Sequence, residues 1–272
     1  MAGRGKPRRP RRQRILKTIA LYNLKGGVGK TAGAVNLAYL AALSGRRTLI
    51  WDLDPQGAAT FYFRIQPKVE GGRKKLLKTK GRKNPLETHI RGTDFERLDL
   101  MPADFSYRTL DVALADAKGG ERWLADAIAS LEPYYETVFL DCAPSISRTS
   151  DGIFRAADAL VLPMIPTTLS MRTLEQLLGH LDRQGLGDLP VWPFFSMVDR
   201  RKKMHRDFLG SLSADDSYFD TVIPNASQVE RMGVERNPVS VFAGRTAAAK
   251  AYLNLWGEIE QRLERIDSRG DD

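Results

Sequence analysis

Two lysines, three glycines and a hydroxyl are gathered in one short stretch, Lys25-Gly26-Gly27-Val28-Gly29-Lys30-Thr31, followed by Ala32. Glycines let successive backbone N–H groups curl around an anion, and a helix starting at the end of such a turn adds the positive end of its dipole. A lysine at the sixth position reaches β- and γ-phosphate oxygens, and the adjacent hydroxyl suits Mg²⁺. Residues 25–32 are therefore read as a cradle for a polyphosphate. The common form, G-x-x-x-x-G-K-[ST], requires glycine at position 24, where this chain has Leu24. The departure brings in a second lysine, Lys25.

Two acidic sites complete a hydrolytic centre. Asp52-Leu53-Asp54-Pro55-Gln56-Gly57 follows an apolar run, and period-two alternation sets Asp52 and Asp54 on one face at the carboxyl end of a strand. Val138-Phe139-Leu140-Asp141 is an apolar strand ending in a carboxylate, a Walker B pattern that would hold Mg²⁺ through water. The candidate metal set is Thr31, Asp54 and Asp141.

These groups need strands and helices to place them. The pattern predicts a strand over 18–22, a helix over 30–44 and a strand over 47–53, which together form a βαβ unit. Further strands are expected over 98–101, 137–140, 159–163, 191–198 and 221–223, with helices over 121–131, 173–183 and 245–266. Strands alternating with helices imply an α/β fold, a mostly parallel twisted sheet flanked by helices on both faces. The expected organisation is a basic flexible arm over 1–17 and a single domain over 18–268, carrying a basic insertion at about 64–83.

Charge is unevenly distributed. The net charge of the 272 residues is +9, yet residues 1–17 contain eight cations and no acid. Residues 64–83 hold nine more against one acid, Glu70, so the remainder is an acidic body. A third cluster is Arg200-Arg201-Lys202-Lys203 with Arg206. Such clusters bind polyanions by counterion release, without reading sequence. The arm suits RNA or an acidic membrane surface as well as DNA. The one cysteine, Cys142, excludes an internal disulfide and a one-chain Cys₄ site, and the three histidines are far apart. No run approaches the roughly 18 apolar residues of a membrane span.

Lys25 to Thr31, Asp52 to Gly57 and Phe139-Leu140-Asp141-Cys142-Ala143-Pro144 together resemble the deviant Walker A ATPases of the ParA/MinD type, best the partition (ParA-like) branch. The likeness extends to Val161-Leu162-Pro163, Met197-Val198-Asp199-Arg200 and Thr221-Val222-Ile223-Pro224-Asn225, and so covers about residues 18–260. Ala32 and Ala143 depart from residues common in the family, without removing a catalytic group.

The resemblance implies a P-loop NTPase that binds ATP with Mg²⁺ and closes into a homodimer around it. It implies that Lys25 crosses to the phosphates of the other subunit, Lys30 stabilises phosphates and Asp54 orients water. Thr31 and Asp141 would manage Mg²⁺, while Met197, Pro224 and Asn225 would face adenine. Nonspecific DNA binding is expected through Arg8, Arg9, Arg11 and Arg12 and through Arg200, Arg201, Lys202, Lys203 and Arg206. The implied partner is a ParB-like protein or cargo adaptor, with a cytoplasmic, nucleoid-associated location. MinD-type membrane attachment is not expected, because the terminal helix ends in acids and its apolar face suits packing on the domain. A small-molecule synthetase of the same superfamily is the alternative. Intact Lys30, Thr31, Asp54 and Asp141 argue against a third class, a regulatory module without turnover.

Overall fold

The computed structural model describes residues 16–72, 86–116, 120–211 and 215–269. Its strands are β1 (Lys17–Leu21), β2 (Thr48–Asp52), β3 (Arg91–Gly92), β4 (Leu98–Met101), β5 (Thr137–Asp141), β6 (Ala159–Met164) and β7 (Val191–Phe195). They form a seven-stranded sheet in the order β3-β4-β2-β5-β1-β6-β7. All pairs are parallel except β3 with β4, an antiparallel addition at one edge.

Strands β1, β2 and β5 are buried along their whole length, as a sheet covered on both faces requires. Alternation divides their side chains between two cores. Ile19, Leu21, Ile50 and Phe139 pack with helix α1 (Lys30–Leu43) and the terminal helix Ala247–Arg269. Ala20, Tyr22, Leu49, Trp51, Val138 and Leu140 face the other way, toward Trp123, Ile153 and Leu177. Each fully buried leucine of this kind contributes about 1.5–3 kcal/mol. On α1, Gly33 lets the helix close on the sheet, since a Cβ there would lie 3.3 Å from Leu21 Cδ1.

Caps legible in the sequence set two later helices. Ser147 and Ser150 form a capping box at the start of Arg148–Ala156, and the Thr167 side chain accepts from Ser170 N–H at the start of Thr168–Arg183. That helix begins five residues earlier than expected. In the terminal helix Leu255, Trp256, Ile259 and Leu263 are buried, so its apolar face packs on the domain. Among the described residues no helix is long and apolar enough to cross a membrane.

Four sequence expectations need correction. Residues 221–223 form no strand; they leave a single parallel bridge, Val198 with Pro224, and proline has no N–H to extend a ladder. The strand expected over 191–198 stops at Phe195, because Met197 adopts a left-handed φ of 55° and turns the chain away. The helix expected over 121–131 opens as a 3₁₀ turn, Gly120–Arg122, and is helical only over Trp123–Ala129. Lys17, placed in the arm by charge, is the first residue of β1, and Leu16 before it is buried. Of the basic insertion, residues 64–72 run through turns and residues 73–83 lie outside the described residues.

Candidate functional site

The register of the central strands sets the site. Leu21 lies level with Asp141, and Asp141 level with Asp52, so β1, β5 and β2 end together at one edge of the sheet. The phosphate-cradle sequence leaves β1 at that edge and runs into α1. Its N-terminal side is held by Asn23, whose Nδ2 donates to the Pro163 carbonyl at 2.8 Å while its Oδ1 accepts from Lys25 N–H at 2.9 Å. Its C-terminal side is held by Ser196 Oγ, which donates to the Val28 carbonyl at 2.6 Å. Gly26 and Gly27 are exposed between these anchors. Gly27 and Gly29 take φ of 70° and 94°.

Gly29 is also the residue from which α1 starts, with no side-chain cap. Gly29→Ala should therefore cost about 1–3 kcal/mol of stability and displace the loop. A thermal melt and a nucleotide titration check this; a variant with native melting and native affinity would sink it.

Lys30, the first residue of α1, is buried, and its Nζ donates to the Lys25 carbonyl at 2.9 Å. Burial lowers its pKa, opposed by Asp141, Cys142 and Asp54 nearby. Thr31 and Ala32 are half-buried beside it.

The two aspartates expected on one face of the strand end sit in different surroundings. Asp52 is fully buried and accepts from Asp54 N–H (3.2 Å), Thr60 N–H (2.8 Å) and Thr60 Oγ1 (2.7 Å). It shapes the loop over 52–60 toward α2 (Ala58–Tyr62). Asp54 lies beyond the strand end and is half-buried, with Oδ1 accepting from Gln56 N–H at 2.9 Å.

Asp141 stands apart from both. It is fully buried, and neither carboxylate oxygen has a hydrogen-bond partner. Burial, then the neighbouring Asp52, holds its pKa well above the ordinary range, while Thr31 and Lys30 pull it down. A buried carboxylate left this way costs several kcal/mol unless a cation compensates it. Among the described residues no group of three or more His, Cys, Asp or Glu is arranged to hold a metal ion. Mg²⁺ needs no such cage: it is ordinarily held by one or two carboxylates with waters and substrate phosphates. Asp141, Thr31 and Asp54 fit that donor set.

The residues expected at adenine lie beside the loop. Met197 is exposed and follows Ser196, whose side chain lies 3.8 Å from a Cβ built on Gly29. Asn225 N–H donates to the Val198 carbonyl at 2.9 Å, which brings Pro224 and Asn225 to the same corner.

Arg200, Arg201, Lys202, Lys203 and Arg206 are all exposed, but they are not equivalent. Arg201 forms two hydrogen bonds to Asp199 (2.9 and 3.0 Å), which bring that carboxyl down to about 2. Its charge is spent locally. Arg206 donates to the Arg200 and Arg201 carbonyls. Arg8, Arg9, Arg11 and Arg12 lie outside the described residues.

Sequence reading missed Asn23, Thr60 and Ser196, which position the loop and the acid-bearing turn. A polar residue directly after an apolar strand marks Asn23 and Ser196, whereas nothing local marks Thr60.

A family model described as an AAA domain matches residues 16–184. The chromosome-partitioning ATPase Soj of Treponema pallidum is 28% identical over 252 residues, covering 90% of this chain and 98% of the relative. A plasmid partition protein of Borrelia burgdorferi bound to AMPPNP superposes with a TM-score of 0.74 at 21% identity, covering 90% of this chain and 98% of the other. Cobyrinic acid a,c-diamide synthase of Mycobacterium smegmatis, with bound ADP and magnesium, gives 0.73 at 23% identity, covering 92% and 96%. Both structural likenesses bear on the fold alone. With the loop, the two lysines and the acidic strand ends in register, the chain belongs to the AAA-domain family, as a deviant Walker A ATPase of the ParA/MinD type on its partition branch.

Proposed function

We propose that the protein is an Mg²⁺-dependent ATPase that dimerises on ATP, binds DNA nonspecifically and partitions or positions a chromosome, plasmid or other cargo. The observation that carries this reading is the unpartnered, buried carboxylate of Asp141 beside Lys30, at the sheet edge where the glycine loop ends. The partition relatives support the biological half of it.

In this reading the N–H groups of Gly26, Gly27, Val28, Gly29, Lys30, Thr31 and Ala32 cradle the phosphates. Lys30 neutralises the β- and γ-phosphates from within the subunit, and Lys25 does so from the partner subunit. Mg²⁺, held by Thr31 with Asp141 and Asp54 through water, would offset the phosphate charge. Asp54 orients the water that attacks the γ-phosphorus; the bond to the β–γ bridging oxygen breaks, giving ADP and phosphate. Chemistry of this kind rests on positioning and charge stabilisation. Met197, Pro224 and Asn225 bound the adenine. A ParB-like protein or cargo adaptor stimulates turnover, and DNA engages Arg200, Lys202, Lys203 and Arg206 on the nucleoid.

The test is affinity for random-sequence duplex with ATP and with ADP. ATP should raise it at least about 10-fold, with a dimer seen by sedimentation. Lys25→Ala should keep ATP affinity within about 10-fold while losing both the dimer and the nucleotide effect on DNA. Normal ATP-dependent dimers of Lys25→Ala would remove that role. The synthase neighbour supports one other reading, a small-molecule synthetase. Turnover that depends on a metabolite, without duplex binding, would favour it.

A further inference from the structure

Two helices beside the site end on an arginine where glycine is the favoured residue. α2 closes with Arg64 N–H on the Phe61 carbonyl (3.0 Å) and Ile65 N–H on the Thr60 carbonyl (3.1 Å), and Arg64 takes a φ of 60°. The helix Ser227–Glu235 closes with Arg236 N–H on the Met232 carbonyl (2.8 Å), and Arg236 takes a φ of 49°. Glycine is favoured at such helix ends because a Cβ is strained in the left-handed region. A strained residue persists where its surroundings over-determine it, and such places cluster at functional sites.

Each arginine holds the other's helix. Arg64 Nη1 donates to the Arg236 carbonyl at 3.1 Å, and its Nη2 donates to Asn237 Oδ1 at 3.3 Å. Arg64 Nε and Nη2 also grip Asp94 Oδ2, at 3.0 and 2.6 Å. In return Arg236 Nε donates to the Phe61 carbonyl at 3.0 Å, and its guanidinium lies 4.4 Å from the centre of the Phe61 ring. A glycine could make none of these side-chain contacts, which accounts for both departures.

This latch joins two parts of the nucleotide site. α2 is only five residues long, and its start is built onto the Asp54 turn. Gly57 N–H donates to the Asp54 carbonyl at 2.9 Å, and Thr60 holds Asp52. The helix Ser227–Glu235 begins directly after Asn225 and Ala226. Beyond its end, Val239 N–H donates to Asn36 Oδ1 at 2.8 Å, and Asn36, fully buried on α1, donates to the Ala32 carbonyl at 2.7 Å. Residues 236–239 are thus bonded both to α1 and to the end of α2.

We propose that Arg64 and Arg236 are positioning residues for hydrolysis, whose latch carries the seating of the base at Pro224 and Asn225 to the turn that holds Asp54. This rests on the nucleotide reading above and deepens it: the base fixes the helix Ser227–Glu235, the latch fixes α2, and α2 fixes Asp54 against the attacking water. A misplacement of about 1 Å at a reacting group costs up to about 10²-fold in rate, so loosening so short a helix is measurable.

Steady-state kinetics and hydrogen exchange test it on the full chain. R64G and R236G keep the left-handed turns and remove the latch, so melting should stay within a few degrees of the native chain. Each should lower kcat for ATP about 10-fold with KM within about 3-fold, because the phosphate cradle is untouched. R64K keeps the charge without the planar fork and should lose as much as R64G. The double variant should lose no more than about 2-fold beyond either single one, since the two arginines act as a unit. ADP with Mg²⁺ should slow exchange of the Phe61, Phe63 and Ile65 amides about 10-fold in the native chain, and leave them unchanged in R236G. Protection of residues 25–33 by ADP should persist in both.

A kcat within about 2-fold of native, losses that multiply in the double variant, or an unaltered ADP response of α2 in R236G overturns the latch and spares the nucleotide reading. So does a Tm lowered by more than about 10 °C, the mark of a purely structural clamp. A native chain with neither turnover nor ADP protection over 25–33 overturns both.

Discussion

Lys30→Ala is expected to lower kcat/KM for ATP by about 10³-fold. A unit charge 4 Å from a phosphate oxygen is worth about 4 kcal/mol at the effective dielectric of a partly dry protein site, and 1.4 kcal/mol is a factor of ten. Lys30 is well placed to deliver that energy. It is only 7% exposed, it begins α1, and its ammonium is tied to the Lys25 carbonyl, so little side-chain freedom is left to lose. Its removal also leaves Asp141 and Asp54 without the cation that faces them. Steady-state phosphate release against ATP concentration checks the effect. A loss under 10-fold would mean that the backbone N–H groups and Lys25 carry the phosphates without it.

Asp141→Asn should move stability and activity in opposite directions. Without nucleotide, the carboxylate is fully buried, unpartnered and level with Asp52, so an amide of the same size removes a poorly compensated charge. A gain of about 1 kcal/mol would raise Tm by about 2–4 °C in a protein of this size. With the carboxylate gone, the Mg²⁺ donor set loses its innermost anion, and hydrolysis should fall at least about 10²-fold. Scanning fluorimetry without ligand reads the first effect, and phosphate release the second. A lower Tm with unimpaired hydrolysis would mean that Asp141 is a structural residue only.

Much of the site was legible in the residues because its parts are local. The loop 25–31 is contiguous, and its glycines, lysines and threonine have meaning only between a strand and a helix, which the flanking apolar patterns supplied. Asp141 was readable as the end of an apolar run. The reading of Asp52 and Asp54 was only half right. Alternation puts them on one face, but the strand ends at Asp52, and Thr60 draws that carboxylate inward. The strand expected over 221–223 failed for a related reason: apolar, β-branched residues satisfy strand propensity, yet Pro224 and the turn at Met197 stop the ladder. Propensity describes a segment, whereas pairing depends on what lies beside it.

By itself, the sequence determined the α/β alternation, the phosphate loop, the acidic strand ends and the uneven placement of charge. Each is a pattern within about twenty residues, set by backbone geometry and side-chain periodicity. Only the tertiary structure decided that Leu21, Asp52 and Asp141 end at one level, and that Asn23 and Ser196 clamp the loop to β6 and β7. The structure alone also decided that Arg201 is already spent on Asp199, and that Lys17 and the end of β7 lie at opposite ends of the sheet. Those outcomes depend on register and packing between segments far apart in the chain or, for Arg201, on the turn that β7 runs into. Both are fixed when the two cores close over the sheet.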